Sequence, residues 1–441
     1  MFTAAENLKN FRNLISGCFV PVLKEDLDNA LLKSEHFDEY RKCLEVQLPI
    51  LFDLLQINQH WIFESNDPEA HGVYAELVVL LCEITSPSSI YRLGNESIHK
   101  NADRILNERT PIYNAAIEHI IFKFYQERLG KTTWKRQLGC LHGFTRFLQL
   151  QYCAQTLNEQ WVNFCLSVGA TVRESHELTC KHIGITIFKI ILKSGKFEYI
   201  QEQNIHGVIY DSVLRDVDFL DTIEAAAAVW ECLYKCLDFF KELDSFNWSH
   251  LDELMEKAIK NVTMASDNLI SLYHLQIVTK LGSYFAINKQ EIETLCKADN
   301  TYSTSLDKLR NICGMNNSYT IFRWAKSILN MFIVESYKLM QGSEISHKFL
   351  GEMHKCYLVC VTPIDLPVIS PHLIAFLEKF ITILMEVITA HKMNTEVIQL
   401  TKAFLETFKY QLQYSTYTQE SGEFTKLYKA IEQLLKHKIF L

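Results

Sequence analysis

The sequence predicts an all-α protein built from stacked, antiparallel helix pairs. Glycine and proline, which interrupt helices and form tight turns, account for only 15 and 8 of the 441 residues, well below the usual ~7% and ~5%. Residues 112–362 contain no proline, so helices can run there without losing backbone donors. Within this stretch, apolar residues recur mostly at three- and four-residue spacing, the period of a buried helix face. The scarcity of turn residues also argues against a β-sandwich or barrel.

The predicted helices of the middle region repeat at regular intervals along the chain. Their ranges are 158–172, 175–194, 204–215, 218–241, 247–262 and 265–286. The first helix of each pair begins roughly 45 residues after the first helix of the previous pair, a period typical of HEAT and armadillo repeats. The pattern therefore predicts a HEAT/armadillo-like α-solenoid of antiparallel helix pairs, in which each pair packs on its neighbours.

Further helices are predicted on both sides of this array. The N-terminal ranges are 3–16, 24–33, 36–56, 68–84, 98–108 and 111–129. Pro111 follows Thr110 and is predicted to occupy the first turn of its helix, where a missing N–H costs little. Near the C-terminus, the same three- and four-residue spacing predicts another helix. Its apolar positions are Leu373, Leu377, Phe380, Leu384 and Ile388.

A cluster of prolines separates the last part of the chain. Pro363, Pro367 and Pro371 lie close together, so residues 363–371 are predicted to form an extended link. Residues 372–441, rich in Leu, Ile and Phe, are expected to cap the array or to dock on another solenoid. The predicted organisation is an N-terminal helical region, HEAT-like helical repeats, a proline-containing link and a C-terminal helical unit, at 1–130, 131–362, 363–371 and 372–441.

Charge and composition disfavour nucleic acid and membranes as partners. The formal net charge is −8 and the pI is about 6.1, whereas a protein that binds nucleic acid must neutralise phosphates. No stretch of ~20 residues is free of charge, so no membrane-spanning helix is expected. Residues 1–16 carry Glu6, Lys9 and Arg12 within an apolar pattern, which predicts an amphipathic helix and not a signal peptide. The 13 dispersed cysteines then indicate reduced thiols in the cytosol or nucleus.

Two short motifs resemble catalytic signatures but lack the required spacing. Gly130-Lys131-Thr132 resembles the end of a phosphate-binding loop, but Tyr125 occupies the position where that loop needs a glycine. Gly130 is instead predicted to end a helix. His176 and His182 are six residues apart and would point to different sides of a helix, so they could not bind one zinc ion together. No catalytic, cofactor-binding or metal-binding residue is predicted, and the protein is expected not to be an enzyme.

Two cysteine pairs have a spacing that allows either metal binding or packing. Cys232 and Cys236 are four residues apart, as are Cys356 and Cys360, and His354 lies beside the second pair. Two such pairs brought together would supply enough ligands for zinc, but zinc ribbons use two-residue gaps in loops. Cysteines in helix interfaces behave as small apolar residues, so packing is predicted for both pairs and no structural zinc is expected.

Two other features allow structural predictions. Gly184 lies within a strongly apolar helix, where glycine costs roughly 0.5–1 kcal/mol relative to alanine. We therefore expect a neighbouring helix to approach closely at this position. Residues 427–441 combine Lys429, Lys436 and Lys438 with apolar residues. This pattern fits either a terminal capping helix, which is favoured, or a basic amphipathic helix for a membrane or partner.

One segment of the chain resembles a known family. Three stretches carry the resemblance: His182-Ile-Gly-Ile-Thr-Ile-Phe-Lys-Ile-Ile-Leu192, Asn204-Ile-His-Gly-Val-Ile-Tyr-Asp-Ser-Val-Leu214 and Ala225-Ala-Ala-Ala-Val-Trp-Glu-Cys-Leu-Tyr-Lys-Cys-Leu237. In order and spacing they resemble the second TELO-interacting subunit of the TTT complex. The similarity covers residues 134–240, and it consists of packing motifs without catalytic residues.

The resemblance implies a non-catalytic scaffold in the cytoplasm and nucleus. Members of the family belong to a co-chaperone complex for phosphatidylinositol 3-kinase-related protein kinases of the ATM, ATR, mTOR and DNA-PK type. The implied direct partners are the large solenoid subunit and the TELO subunit of the TTT complex, with the kinases and the chaperone machinery as indirect partners. The alternative left open by the residues is another helical-repeat adaptor, such as a transport or ubiquitin-pathway scaffold. The sequence identifies no partner-binding residue.

Overall fold

In the computed structural model, the regular secondary structure of the described residues is helical, and turns connect the helices. The described residues are 4–27, 33–87, 90–218, 222–240, 249–284, 315–362, 366–390, 393, 395–413 and 422–440. These ranges contain no β-strand, and a single isolated bridge joins Leu157 and Gly195. The predicted all-α fold class is confirmed.

The chain forms two compact units. The first contains residues 1–215 and 231–239, and the second contains residues 216–230 and 240–441. The residues of α11 (Ile223–Leu237) are divided between the two units. The first unit has ten further helices in the described ranges: α1 (Ala4–Cys18), α2 (Asp38–Glu64), α3 (Pro68–Ile84), α4 (Glu96–Arg109), α5 (Ala115–Arg128), α6 (Leu138–Gln151), α7 (Glu159–Arg173), α8 (Leu178–Ser194), α9 (Phe197–Glu202) and α10 (Ile205–Leu214).

Helix α3 lies at the centre of the N-terminal helices. It packs against α1, α2, α4, α5 and α6, and its residues 77–84 are all buried. A helix that is apolar on every side is stable only when it is surrounded. The side chain of Asp67 caps its first turn by accepting a hydrogen bond from the Glu69 N–H at 3.0 Å, and Pro68 fits the first turn because its missing N–H would have no partner there.

Glycines allow close contacts between helices in the first unit. Helix α7 packs along α8, and a Cβ atom added at Gly184 would lie 2.8 Å from both the carbonyl oxygen of Gly169 and the Cβ of Arg173. No side chain fits there without displacing α7. The close approach predicted for Gly184 is confirmed.

The second unit stacks alternate helices in two rows. One row contains α12, α14, α16 and α18, and the other contains α13, α15 and α17. Stacking of this kind, in which helix pairs contact their neighbours along the chain, is consistent with the predicted α-solenoid. The helices are α12 (His250–Met264), α13 (Asn268–Tyr284), α14 (Met315–Glu335), α15 (Glu344–Cys360), α16 (Leu366–Ala390), α17 (Thr395–Gln413) and α18 (Gly422–Leu435), and a 3-10 segment (Ser336–Gln341) follows α14.

The prediction of an extended proline link is wrong for residues 366–371. These residues form the first turns of α16. Pro367 is the second residue of the helix, where a backbone N–H has no intrahelical partner, so only Pro371 removes a hydrogen bond. The rest of the predicted link, residues 363–365, lies outside the described residues.

Other predicted helix boundaries also need correction. Residues 24–27 are not helical, although a helix was predicted over 24–33, and the residues after 27 lie outside the described ranges until Lys33. Pro111 precedes α5 and does not lie in its first turn, because the Asn114 side chain caps the helix by accepting from the Ala116 and Ile117 N–H groups. Helix α2 extends well beyond its predicted end at residue 56, and α6 had no predicted counterpart.

Candidate interaction surface

The residues considered for nucleotide or zinc chemistry do not form such sites in the structure. Tyr125 is buried within α5, and Gly130 follows the end of that helix, which leaves no loop of backbone amides for a phosphate. His176 is exposed in the turn before α8, whereas His182 lies on α8 and is partly buried. Among the described residues, no three His, Cys, Asp or Glu side chains form a group that could hold a metal ion.

The cysteine pairs lie within packed helices. Cys232 and Cys236 are buried in α11. Cys356 and Cys360 are buried in α15 with their Sγ atoms 4.0 Å apart. Burial raises the pKa of the Cys356 thiol, and the neighbouring Cys360 adds to this shift. A thiol that resists deprotonation is a poor nucleophile and a poor metal ligand, so these contacts suit packing groups.

His354 is also enclosed by apolar side chains. Its ring is fully buried and stacks on Phe404 with 4.5 Å between ring centroids. Burial lowers the pKa of His354 to about 3, although the nearby backbone of Leu400 opposes the shift. The imidazole is therefore neutral at physiological pH and packs as an aromatic ring.

A cavity of about 390 Å³ in the first unit is lined by side chains of α6 and α8 and by the residues after α3. Ser86 Oγ lies 3.4 Å from His142 Nδ1, which superficially resembles a nucleophile beside a base. Burial lowers the pKa of His142 to about 4, whereas a general base works best with a pKa near the operating pH. Arg146 in the same cavity donates to Asp103 at 2.8 Å. The arrangement gives little support for nucleophilic catalysis.

A second cavity, of about 310 Å³, is lined by the C-terminal end of α12, the start of α13 and residues 217–218. The Asp218 carboxylate accepts a hydrogen bond from Lys257 Nζ at 2.8 Å, and this bond lowers the pKa of Asp218. Asn261 Nδ2 donates to the carbonyl oxygen of Val217 at 2.8 Å. These polar groups bind one another, so the cavity does not resemble a substrate site.

Glu83 is a buried carboxyl group between α3 and α6. Burial raises its pKa to about 8, although the Val20 N–H donates to its Oε2 at 3.2 Å. A Cβ atom at Gly139 would lie 2.8 Å from Oε2, and one at Gly143 would lie 2.7 Å from Cγ. The two glycines thus provide the space that Glu83 occupies, and the enclosed carboxyl acts in helix packing.

The outside of α2 carries a continuous apolar stripe. Its members are four, four, three and four residues apart: Val46, Ile50, Leu54, Ile57 and Trp61. The side chains of Val46, Ile50 and Ile57 are 66%, 47% and 77% exposed, and the other two are partly exposed. A separate face of the helix points into the unit through Leu44, Leu48, Leu51, Leu55 and Ile62. Helix α2 therefore has two apolar faces, and the described residues of the unit cover only the inward one.

Acidic residues border this α2 stripe. Glu39, Glu45, Asp53 and Glu64 are exposed along the helix, whereas Lys42 is the exposed lysine among them. Glu64 also lies 2.8 Å from the Nδ1 atom of His60. Large exposed apolar surfaces rimmed by polar residues mark interaction sites, so the α2 stripe is our candidate interaction surface.

The second unit has another group of exposed apolar residues, which includes Val334 and Tyr337 at 58% and 59% exposure. Met264 and Leu269, at the turn between α12 and α13, are 73% and 46% exposed, and Met340 in the 3-10 segment is 40% exposed. Asn268 Nδ2 donates to Gln341 Oε1 at 3.0 Å, which connects these two segments. Val334, Tyr337 and Met340 are three residues apart, but Val334 lies in α14 and the other two lie in the 3-10 segment, whereas the whole α2 stripe lies on one helix.

The predicted docking unit, residues 372–441, uses its apolar side chains internally. Met385 in α16 is 39% exposed, and partly exposed residues accompany it: Ile374, Ile383, Ile398, Leu435 and Ile439. The large apolar residues that are buried include Leu373, Phe376, Phe380, Leu384, Phe404, Phe408, Ile431 and Leu434. This burial favours the capping role over the docking role.

The sequence contains a signal for the α2 stripe that the predicted helix of residues 36–56 did not use. That range ends before Ile57 and Trp61, so the predicted helix contains only part of the regular spacing. Apolar residues over more than half of a helix circumference would have indicated a second face.

Comparison with known proteins identifies no relative: no family model, curated protein or solved structure matches this chain. Each helix in the described part of the chain is too short or too polar to cross a membrane.

Proposed function

We propose that the protein is a non-catalytic scaffold that binds other proteins through its helices. The observation that carries this proposal is the α2 stripe, because an exposed apolar face with regular spacing suits a partner helix. The enclosed His142 and His354, whose pKa values are lowered by burial, and the buried Cys356 thiol, whose pKa is raised, do not support a catalytic role.

We further propose that this scaffold is a subunit of the TTT co-chaperone complex, supporting the maturation and stability of phosphatidylinositol 3-kinase-related protein kinases. The support is the resemblance of residues 134–240, which include α8, α10 and α11, to the second TELO-interacting subunit. Its direct partners would be the large solenoid subunit and the TELO subunit, in the cytoplasm and nucleus. The alternate-helix stacking supports the finer assignment of HEAT-like repeats.

Affinity purification of the tagged full-length chain from native cells tests this function. We expect the large solenoid subunit and the TELO subunit in stoichiometric amounts, with the kinases in smaller amounts, by quantitative mass spectrometry. Depletion of the protein should lower kinase abundance without lowering the kinase messenger RNAs. Stoichiometric recovery of a transport receptor or a ubiquitin ligase instead would contradict the TTT assignment and favour the other helical-repeat adaptor.

A further inference from the structure

We propose that the α2 stripe binds an amphipathic helix of a partner protein, and that lysine or arginine residues border the apolar face of that helix. The inference rests on the proposed scaffold function and specifies the chemistry of one partner segment. It assigns a surface where the sequence identified none.

The geometry of the stripe suits lengthwise packing of two helices. Between Val46 and Trp61 it extends over roughly 22 Å, at ~1.5 Å per residue. Ile50, Leu54, Ile57 and Trp61 have the four-three-four spacing of a coiled-coil seam. Trp61 at one end supplies a large aromatic side chain, a residue type that often contributes most to binding energy.

The charges along α2 determine which occupant fits. Glu39, Glu45, Asp53 and Glu64 outnumber Lys42 on the exposed surface. A second copy of this chain would bring one acidic border against another, and like charges across an interface are costly. An anionic membrane surface would repel the same border. A helix with lysine or arginine at its borders places positive charges beside the acidic residues of α2, so it avoids both kinds of repulsion.

Pro49 adds a backbone acceptor beside the stripe. It lies inside α2 and has no N–H, so the carbonyl oxygen of Glu45, four residues earlier, loses its intrahelical donor. A lysine or arginine on the border of a bound helix can donate to this oxygen.

Two designed peptides test the charge preference directly. Both are amphipathic helices with leucine at the seam positions; one has lysine at the border positions and the other has glutamate. Fluorescence anisotropy with the purified full-length protein should show binding of the basic peptide at least about tenfold tighter than the acidic one. Equal affinity for both peptides would overturn the proposal.

A matched pair of variants separates apolar docking from general charge attraction. Ile57→Asp should weaken binding of the basic peptide at least about tenfold, although it makes the protein more negative. Val208→Asp is the control, since Val208 is also exposed, at 50%, but lies on α10; it should leave the affinity unchanged. Unchanged or tighter binding by Ile57→Asp would show that the peptide attaches elsewhere by charge alone.

Cross-linking in cells distinguishes the inference from the proposed function. Photoreactive benzoylphenylalanine placed at position 57 should cross-link to a basic amphipathic segment of a copurifying protein, whereas the same group at position 208 should not. Full recovery of the TTT subunits without a cross-link from position 57 would refute the docking site but leave the function intact. Cross-links to a second copy, or binding of phosphatidylserine vesicles that Ile57→Asp abolishes, would replace the proposed occupant.

Discussion

Helices α2 and α16 are similar in length and differ in how they use their apolar residues. They contain 27 and 25 residues, and each has a proline inside it. Helix α16 packs against α14, α18 and the 3-10 segment, and Met385 is 39% exposed on its surface. Helix α2 packs on α1, α3 and α4 but leaves Val46, Ile50 and Ile57 exposed. The number of apolar residues in a helix therefore does not show whether they serve the core or a partner, and the neighbouring helices decide.

The largest effect is expected when an aspartate replaces a buried apolar residue of a helix that packs on α16. Ile431 in α18 is fully buried against its neighbours, so Ile431→Asp buries an unpaired carboxylate. We expect a loss of more than about 4 kcal/mol in the free energy of unfolding, with loss of helical signal from the C-terminal helices. Urea titration followed by circular dichroism measures the effect; an unchanged transition would mean that α18 does not pack as described.

A second test concerns the carboxyl group enclosed by α3 and α6. The folded pKa of Glu83, about 8, lies above its unfolded value of about 4.5, so the folded state retains a proton that the unfolded state releases. Its contribution to stability is therefore complete below about pH 4.5 and is lost as the pH rises to about 8, by an amount on the order of 5 kcal/mol. Glu83→Gln should remove this component.

Urea midpoints at pH 5 and pH 8 check the Glu83 prediction. From pH 5 to pH 8, the urea midpoint of the wild type should decrease by more than the urea midpoint of Glu83→Gln does. Parallel pH profiles for the two proteins would show that the Glu83 carboxyl titrates normally and is not enclosed.

A third test inserts a side chain where α7 meets α8. Gly184→Leu should overpack the contact with Gly169 and Arg173 and cost roughly 1–3 kcal/mol. Thermal unfolding should show a lower melting temperature. Val208→Leu, at an exposed position of α10, is the matched control and should change little. A melting temperature for Gly184→Leu equal to or above that of the wild type would rule out the close approach.

The smallest expected effect on the free energy of unfolding is that of a substitution in the exposed α2 stripe. Ile57→Asp should change the free energy of unfolding by no more than about 0.5 kcal/mol, because an exposed side chain loses few contacts. The measurement is the same urea titration as for Ile431→Asp. A large destabilisation would mean that Ile57 contributes to the fold, and the α2 stripe would then no longer be a candidate binding surface.

Local sequence patterns predicted where helices form more successfully than they predicted which helices pack beside one another. The apolar periodicity located α3, α7 and α8 within a few residues, because helix formation depends on nearby side chains. The proline rule failed over residues 366–371, because Pro367 lies in the first turn, where a missing donor costs little, and α16 continues through Pro371 with the loss of one hydrogen bond. The close contact at Gly184 was predictable because a glycine inside an apolar helix lowers stability unless a neighbouring helix needs the space. The exposure of Ile57 was not predictable from the sequence, because it depends on which helices lie beside α2.

The buried cysteines allow local opening of the structure to be measured by their rates of alkylation. In the first unit, Cys82 and Cys165 are buried, and burial raises the pKa of both thiols; Cys356 and Cys360 lie in the second unit. Since only an exposed thiolate reacts with an alkylating reagent, each of these residues can be modified only when its surroundings open. Cys153 is exposed and reacts without opening, which supplies an internal reference. Timed alkylation of the native protein, resolved by residue, would thus measure how often each unit opens without any introduced label.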